Sequence, residues 1–301
     1  MKPALAFLLA AATAVALPGC ARHDNGPADV PAISPAAARA AAMAASKDPY
    51  APLMAASKDP YAPLMAAVFG DDYLPAQGRA VEGIGADSFQ KANATIYRAA
   101  TSTRLPSGET VLVVTSTATD ENGDESPSLA DPGRLSIYLL RQQDGRWHVT
   151  RRHDEVAQLG RMGEAGGLRW VMLSRNKPGL AVEHHWIGQG YVATRLSLFD
   201  PSREKITDLT GEGILIASDS SGACPEATHC WSGTAMWRFE PAAGAYDELV
   251  LTIKGEQDDV PDDAPAGTAA AGTRSLAGSA RYVFERGSYR LRDGANTLPV
   301  I

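Results

Sequence analysis

An acidic stretch in the middle of the chain has the residue types of a calcium-binding loop. In DENGDESPSLAD, side chains with oxygen ligands stand at the first, third, fifth and twelfth positions: Asp120, Asn122, Asp124 and Asp131. Alternating hard oxygen ligands of this kind suit Ca²⁺. Such loops need glycine at the sixth position for their sharp turn, whereas this stretch has Glu125 there. Calcium therefore stays a candidate ligand, but we predict a solvated hairpin loop and assign no metal.

Two cysteines that lie close together in the sequence predict a disulfide bond. Cys224 and Cys230 delimit the segment CPEATHC, and the only other cysteine is Cys20. In an oxidising compartment such a pair forms a disulfide, and so small a ring constrains the unfolded chain by only ~2 kcal/mol. A zinc site would recruit His229, but the spacing is unusual and no fourth ligand is evident. We predict a disulfide that fixes a loop.

The sequence has no motif of a known enzyme active site. It contains no G-x-S-x-G nucleophile elbow, no H-E-x-x-H zinc motif, no P-loop and no dinucleotide fingerprint. His184 and His185 are neighbours, but alternation along a strand places them on opposite faces, so they cannot bind one ion together. We expect His184 to form a hydrogen bond at the edge of the core. No catalytic residue and no cofactor is predicted.

A hydrolase with paired carboxylates is the alternative, because such a pair leaves no local motif. Two carboxyl groups that cleave a glycosidic bond stand ~5–10 Å apart. Glu155, Glu183 and Asp208 are candidates, although nothing in the sequence brings any two of them together. Two carboxyl groups in an open cleft would favour the enzyme, whereas a shallow apolar patch would favour a binding protein.

The elements that must position these side chains are predicted to be β-strands. From about residue 92 onward, short strand-like runs alternate with turn residues such as Pro106–Gly108, Asp144-Gly145 and Pro178-Gly179. Residues 111–114 are apolar on both faces of a strand, which predicts a sheet covered on two sides. We predict an all-β, mainly antiparallel domain over residues 88–294, a sandwich or bent meander, with a small β-propeller as the alternative. Residues 256–272 are acidic and rich in proline and alanine, which predicts a disordered insertion.

The N-terminal segment has the form of a secretory signal. Lys2 precedes an apolar run that ends at Leu17, and this run is shorter than the about 20 residues that span a bilayer. The following LPGC resembles the lipobox of bacterial lipoproteins. This resemblance implies a signal peptide over residues 1–19 and a lipid anchor, with acyl chains such as palmitate, at Cys20. By analogy with this class, Ala21 rather than aspartate after the cysteine favours the outer membrane, and we expect the protein at its periplasmic face. An ordinary secretory signal with an incidental cysteine is the alternative.

An eleven-residue unit, MAASKDPYAPL, occurs twice without change over residues 43–64. We predict a flexible tether over residues 20–34 and a short N-terminal helical segment over residues 35–70. Within it, Asp48-Pro49 and Asp59-Pro60 can each begin a helix, and Gly70 can end the last one. Solenoid repeats are longer and need about three units. We therefore predict a tolerated duplication in a peripheral segment, with a peptide-binding array as the alternative.

Composition agrees with an anchored domain that acts outside the cytoplasm. The chain has 301 residues, 45% of them hydrophobic, and a formal net charge of −7, so it can build a sizeable core and has no electrostatic reason to bind nucleic acid. We predict a lipoprotein of the cell envelope, held at the membrane through its lipid. Its β-rich domain is predicted to bind or scaffold an unknown envelope protein or polymer.

Overall fold

The computed structural model describes residues 59–83, 94–120, 122–224, 229–260, 268 and 270–301. In this part of the chain, antiparallel strands form two sheets, and one α-helix, α1 (Ala62–Phe69), leads through a 3-10 turn (Gly70–Asp72) into the first strand. No helix of the described residues is long and apolar enough to cross a membrane.

The strands of each sheet follow one another in chain order. The first sheet contains β1 (Tyr73–Leu74), β2 (Arg79–Glu82), β3 (Thr95–Arg104), β4 (Thr110–Ala118), β5 (Gly133–Gln143) and β6 (Arg146–Leu159). The second contains β7 (Gly167–Ser174), β8 (Lys177–Gly188), β9 (Tyr191–Phe199), β10 (Ile214–Asp219), β11 (Trp231–Glu240), β12 (Glu248–Asp258), β13 (Thr273–Ser275), β14 (Gly278–Glu285) and β15 (Ser288–Gly294). The prediction of an all-β, mainly antiparallel domain, as a sandwich or bent meander, is confirmed. Two sheets of six and nine strands leave no radial blades of a propeller.

The central strand β4 is buried on both faces, as the run at residues 111–114 predicted. Val111 and Val113 are fully buried and face β7, β8 and β9 of the second sheet, where Trp170, Leu180 and Phe199 pack. Leu112 and Val114 face the other way, toward α1. A fully buried aliphatic side chain stabilises a fold by about 1.5–3 kcal/mol, so the sheet needs cover on each side.

The second copy of the repeat supplies that cover on the outer face. Helix α1 lies within it and its continuation, and buries five side chains against the first sheet: Ala62, Leu64, Met65, Val68 and Phe69. Asp59 accepts a hydrogen bond from the Tyr61 backbone at 2.9 Å and from the Tyr73 hydroxyl at 2.7 Å. The prediction that this segment is peripheral is therefore wrong for the second copy. Residues 35–58, which include the first copy, lie outside the described residues.

Phe69 explains why the second copy occupies this position. Its ring lies 4.9 Å from that of Tyr97 and 5.8 Å from that of Tyr138. The Arg152 guanidinium lies 5.8 Å from the Phe69 ring centroid and donates a hydrogen bond to the Val68 carbonyl at 3.2 Å. Eleven residues earlier, Ser57 and Lys58 stand where the second copy continues with Val68 and Phe69. The residues that make these contacts follow the second copy only. The chain after each copy therefore distinguishes two otherwise identical units.

The second sheet bends, so that β11 and the residue before β12 contact β8 and β7 around a separate core. Trp237 on β11 donates its indole N–H to Glu183 on β8 at 2.9 Å. The backbone N–H of Asp247 bonds the Leu173 carbonyl at 2.7 Å. Aliphatic and aromatic side chains from β7 through β15 fill the concave face between these contacts. In the hydrogen-bonded order of this sheet, β7 and β15 are the two edge strands.

Two local predictions differ from the structure. Pro178-Gly179 lies inside β8, and the turn before it is Arg175-Asn176, where Asn176 has a φ of +60°. Gly179 is needed for close packing instead, because a Cβ there would overlap the Leu173 side chain. The strands begin at residue 73 rather than 88, since β1 and β2 extend the sheet beneath α1.

Part of the segment predicted to be a disordered insertion belongs to the sheet. β12 continues to Asp258, where it pairs with β13. Beyond it, the backbone N–H of Asp259 donates to the Gly272 carbonyl, and the Asp259 carbonyl accepts from the N–H of Ala271. Val260 is buried. Residues 261–267 and 269 of the predicted insertion lie outside the described residues.

The docked helix yields a test with a matched control inside the chain. Met65→Ala should lower the free energy of unfolding by about 2–5 kcal/mol, because Met65 is fully buried against the first sheet. Met54→Ala changes the equivalent methionine, which directly follows the first copy as Met65 follows the second, and should change stability little because the first copy is predicted to be a tolerated duplication. Thermal unfolding of both variants measures the difference. Equal losses from the two substitutions would contradict this assignment of the copies.

Candidate functional site

Three large aliphatic side chains stand exposed around one surface cavity. Leu129, Met162 and Ile187 are 70%, 56% and 57% exposed, whereas most large apolar side chains of the described residues are buried. The cavity has a volume of about 320 Å³. We call it the Met162 pocket, and its lining comprises Leu129, Gly160, Arg161, Met162, Glu164, Gly166, His185 and Ile187. Clustered exposed apolar groups of this kind mark binding surfaces more often than isolated ones do.

A tight turn between β6 and β7 presents Met162 to solvent. The backbone N–H of Glu164 bonds the Arg161 carbonyl at 2.9 Å, and the two central residues, Met162 and Gly163, have φ values of +56° and +74°. Positive φ at both positions defines a turn that favours asparagine, aspartate or glycine. Methionine in this region costs roughly 1–3 kcal/mol. The chain therefore holds an exposed apolar side chain at a position where a polar one would fit the backbone better.

Arg161 joins the walls of the pocket. Its Nε donates to the Leu129 carbonyl at 2.8 Å, and its Nη1 donates to the carbonyl of Ile187. The guanidinium also lies 5.8 Å from the ring centroid of Trp186, which is itself 43% exposed. These contacts tie the turn to β8 and to the acidic stretch, so the exposed aliphatic side chains keep a fixed arrangement.

The candidate calcium loop packs beside this turn, but its carboxylates serve the loop's own backbone. Asp120 accepts hydrogen bonds from the backbone N–H groups of Asn122 and Asp124 at 2.8 and 3.0 Å, and these bonds lower its pKa. Asp131 accepts one from Ser128 at 2.6 Å. Among the described residues, which omit residue 121, no group of three or more possible ligands could hold a metal ion. The described residues therefore do not form a metal site from the four candidate ligands, Asp120, Asn122, Asp124 and Asp131.

The sulfur atoms of Cys224 and Cys230 lie at bonding distance, with Cα atoms 6.1 Å apart. Both cysteines lie in the connection from β10 to β11, and Gly222 of this connection packs on the turn between β8 and β9. At this contact a Cβ on Gly190 would overlap the backbone of Gly222. The predicted pairing of Cys224 with Cys230 agrees with the distance between their sulfur atoms. Cys20, the predicted lipidation site, lies outside the described residues.

The three candidate carboxylates of the hydrolase alternative have separate partners. Glu155 bonds the Gln158 side chain, Glu183 accepts from Trp237 and lies 3.2 Å from Arg169, and Asp208 accepts from the backbone of Thr210 at 2.8 Å. Each is engaged as a hydrogen-bond acceptor that orders its own surroundings.

One pair of carboxylates does lie together, on neighbouring strands. Glu240 and Glu248 are cross-strand partners, and both contact Arg281, at 2.8 and 2.5 Å. The hydrogen bonds from Arg281 and Arg238 lower the pKa of Glu240, which keeps it ionised and removes it as a proton donor near neutral pH. This pair forms an ion-pair network at the surface.

His184 and His185 each pair with a hydroxyl group of β9. Nε2 of His184 lies 3.1 Å from the Ser197 hydroxyl, and burial lowers the pKa of His184, in agreement with its predicted place at the edge of the core. Nδ1 of His185 lies 2.9 Å from the Thr194 hydroxyl while the ring lines the Met162 pocket. Burial and nearby Arg151 lower the pKa of His153.

Sequence reasoning missed the Met162 pocket because its residues come from three separate segments. A local signal was nevertheless present in GRMGEAGG at residues 160–167, where four glycines surround an apolar residue. Comparison with known protein families, with curated proteins and with solved structures finds no match to this chain.

The strained turn predicts an effect on stability that depends on residue type. Met162→Asn should raise the free energy of unfolding by about 0.5–1 kcal/mol, because asparagine adopts positive φ more readily. The β7–β8 turn supplies the matched control, since Asn176 has nearly the same φ, so Asn176→Met should destabilise by a similar amount. Chemical unfolding of both variants measures the two changes. A loss of stability in Met162→Asn would contradict the assigned strain.

Proposed function

We propose that this protein is a lipoprotein of the cell envelope whose β-rich domain binds an envelope component through the Met162 pocket. The observation that carries the proposal is Met162 itself, an exposed apolar side chain on a backbone conformation that disfavours it. Positions where a sequence departs from local preference are those where function outweighs stability. Leu129 and Ile187 extend the apolar surface on either side.

The lipobox-like segment supports attachment through Cys20 to the membrane. A lipid anchor restricts the domain to a layer next to the bilayer and so raises the local concentration of any partner there. A fully extended chain spans at most ~3.3–3.6 Å for each residue, so the predicted tether over residues 20–34 allows the domain a reach of roughly 50 Å. This reach suits a module that meets partners at a distance from its anchor.

A binding role agrees better with the described side chains than hydrolysis does. Glu155, Glu183 and Asp208 each serve a separate structural contact, and Arg281 holds Glu240 and Glu248. The shallow pocket, by contrast, has exposed aliphatic side chains that are free to contact another molecule. A rigid surface with an apolar centre is suited to holding a partner.

Photo-crosslinking in cells tests the proposal directly. A photoreactive residue at position 187 should give a discrete adduct with an envelope component, whereas the same residue at position 291 should not. Leu291 on β15 is the control because it is 49% exposed, close to the 57% of Ile187, and lies outside the pocket. Adducts of equal yield at both positions, or none at position 187, would contradict the proposed binding site.

The anchor is tested in the same cells. Cys20→Ser should move the protein out of the membrane fraction and lower the yield of the adduct at position 187. Intact-mass analysis should find lipid on the unsubstituted protein and none on the variant. Unmodified Cys20 in the mature protein would refute the anchor. The adduct at position 187 would then be the remaining test of the binding site.

A further inference from the structure

We propose that the Met162 pocket receives an apolar side chain from a basic segment of a partner protein. This inference rests on the proposed binding function and adds the chemistry of the partner. It follows from three observations: an acidic wall, an arginine whose hydrogen bonds are already made within the pocket, and a cavity with room for a side chain.

The acidic wall is the stretch that carries Leu129. The described residues of this stretch, 120 and 122–131, include four acidic residues and no lysine or arginine. Among its described residues, Glu125 forms an ion pair, with Arg98 at 3.1 Å. Asp131 is exposed, its carbonyl accepts a hydrogen bond from Gly163 at 2.9 Å, and its side chain forms no ion pair with any described residue. The wall thus brings negative charge next to the turn that carries Met162.

Glu164 places a further carboxylate in the lining itself. It is exposed, and no described lysine, arginine or histidine forms an ion pair with it. Negative groups at the rim of an apolar pocket attract a partner with positive groups at matching positions. Their shared field also favours approach of a basic segment over approach of an acidic one.

Arg161 does not reverse this preference. Two of its nitrogens already donate to the carbonyls of Leu129 and Ile187, and its planar group lies near the Trp186 ring. An arginine that recognises an anionic ligand presents its fork of N–H groups to that ligand. Here the hydrogen bonds hold the walls of the pocket together, so the guanidinium acts as a cross-link.

The cavity has room for an apolar side chain. Its volume of about 320 Å³ can accept a side chain of the size of leucine or phenylalanine. Basic neighbours of that side chain would face the carboxylates at the rim. An anionic lipid surface would bring phosphate groups against the acidic wall and is disfavoured by repulsion.

Short labelled peptides test this chemistry with the mature chain carrying Cys20→Ser, which needs no detergent. One peptide has a leucine flanked by lysines, the second has glutamates in place of the lysines, and the third has serine in place of the leucine. Fluorescence anisotropy at low ionic strength should show the lysine–leucine peptide binding roughly three- to tenfold more tightly than either of the others. Ile187→Asp or Leu129→Ser should reduce that binding.

Charge variants distinguish an effect of the carboxylates at the pocket rim from an effect of the overall charge of the protein. The double variant Asp131→Asn and Glu164→Gln should reduce the difference in affinity between the lysine–leucine peptide and the glutamate peptide. Asp144→Asn with Glu204→Gln removes the same charge at two exposed positions outside the pocket lining and should leave the difference unchanged. Equal affinities for the lysine and glutamate peptides, or equal effects of the two double variants, would overturn the inference.

The outcomes distinguish this inference from the proposed function. Equal peptide affinities with a persistent adduct at position 187 would refute the basic partner and keep the binding site. Loss of the adduct would refute the binding site itself. Stronger binding to vesicles of phosphatidylglycerol than to the lysine peptide, measured by co-sedimentation, would replace the basic segment with a lipid surface and overturn the inference.

Discussion

The fold depends on a first sheet that must be covered on both faces. On β5, Ile137 and Leu139 face the second sheet while Tyr138 and Leu140 face α1, and all four are fully buried. Exposing either set to water would cost about 25 cal/mol for each Å². The second sheet and the helix of the repeat are therefore two necessary layers around one central sheet. The Arg152 contact with Phe69 and Tyr138 secures the outer layer.

The same layered arrangement explains where the Met162 pocket lies. The connection from β6 to β7 carries the chain from the first sheet to the second, at the margin of the core that the sheets share. Close passage of the backbone requires glycine there, since a Cβ on Gly133 would overlap the Ala165 backbone and one on Gly166 would overlap Glu183. Side chains at this margin, such as Met162, are held in place without being covered. A rigid and partly apolar surface results.

Sequence patterns predicted the parts of the fold that depend on neighbouring residues. The apolar run at residues 111–114 indicated burial on two faces, and Asp144-Gly145 indicated a hairpin turn, where both residues have positive φ. Pro178-Gly179 was misassigned because the reason for its glycine, the approach of Leu173, comes from another strand. Docking of α1 was missed for the same reason, since the contacts of Phe69 lie on β3 and β5. The candidate site combines three segments, so only its glycine-rich turn left a signal in the sequence.

The central claim is that partner binding is confined to the Met162 pocket, and methionine methyl resonances test it most directly. A spectrum of the mature protein labelled at its methionine methyl groups should be recorded before and after addition of a solubilised envelope fraction. Met162, assigned by substitution, should broaden or shift, whereas Met236, which is 64% exposed on β11, should not. A change at Met236 with none at Met162 would contradict the account.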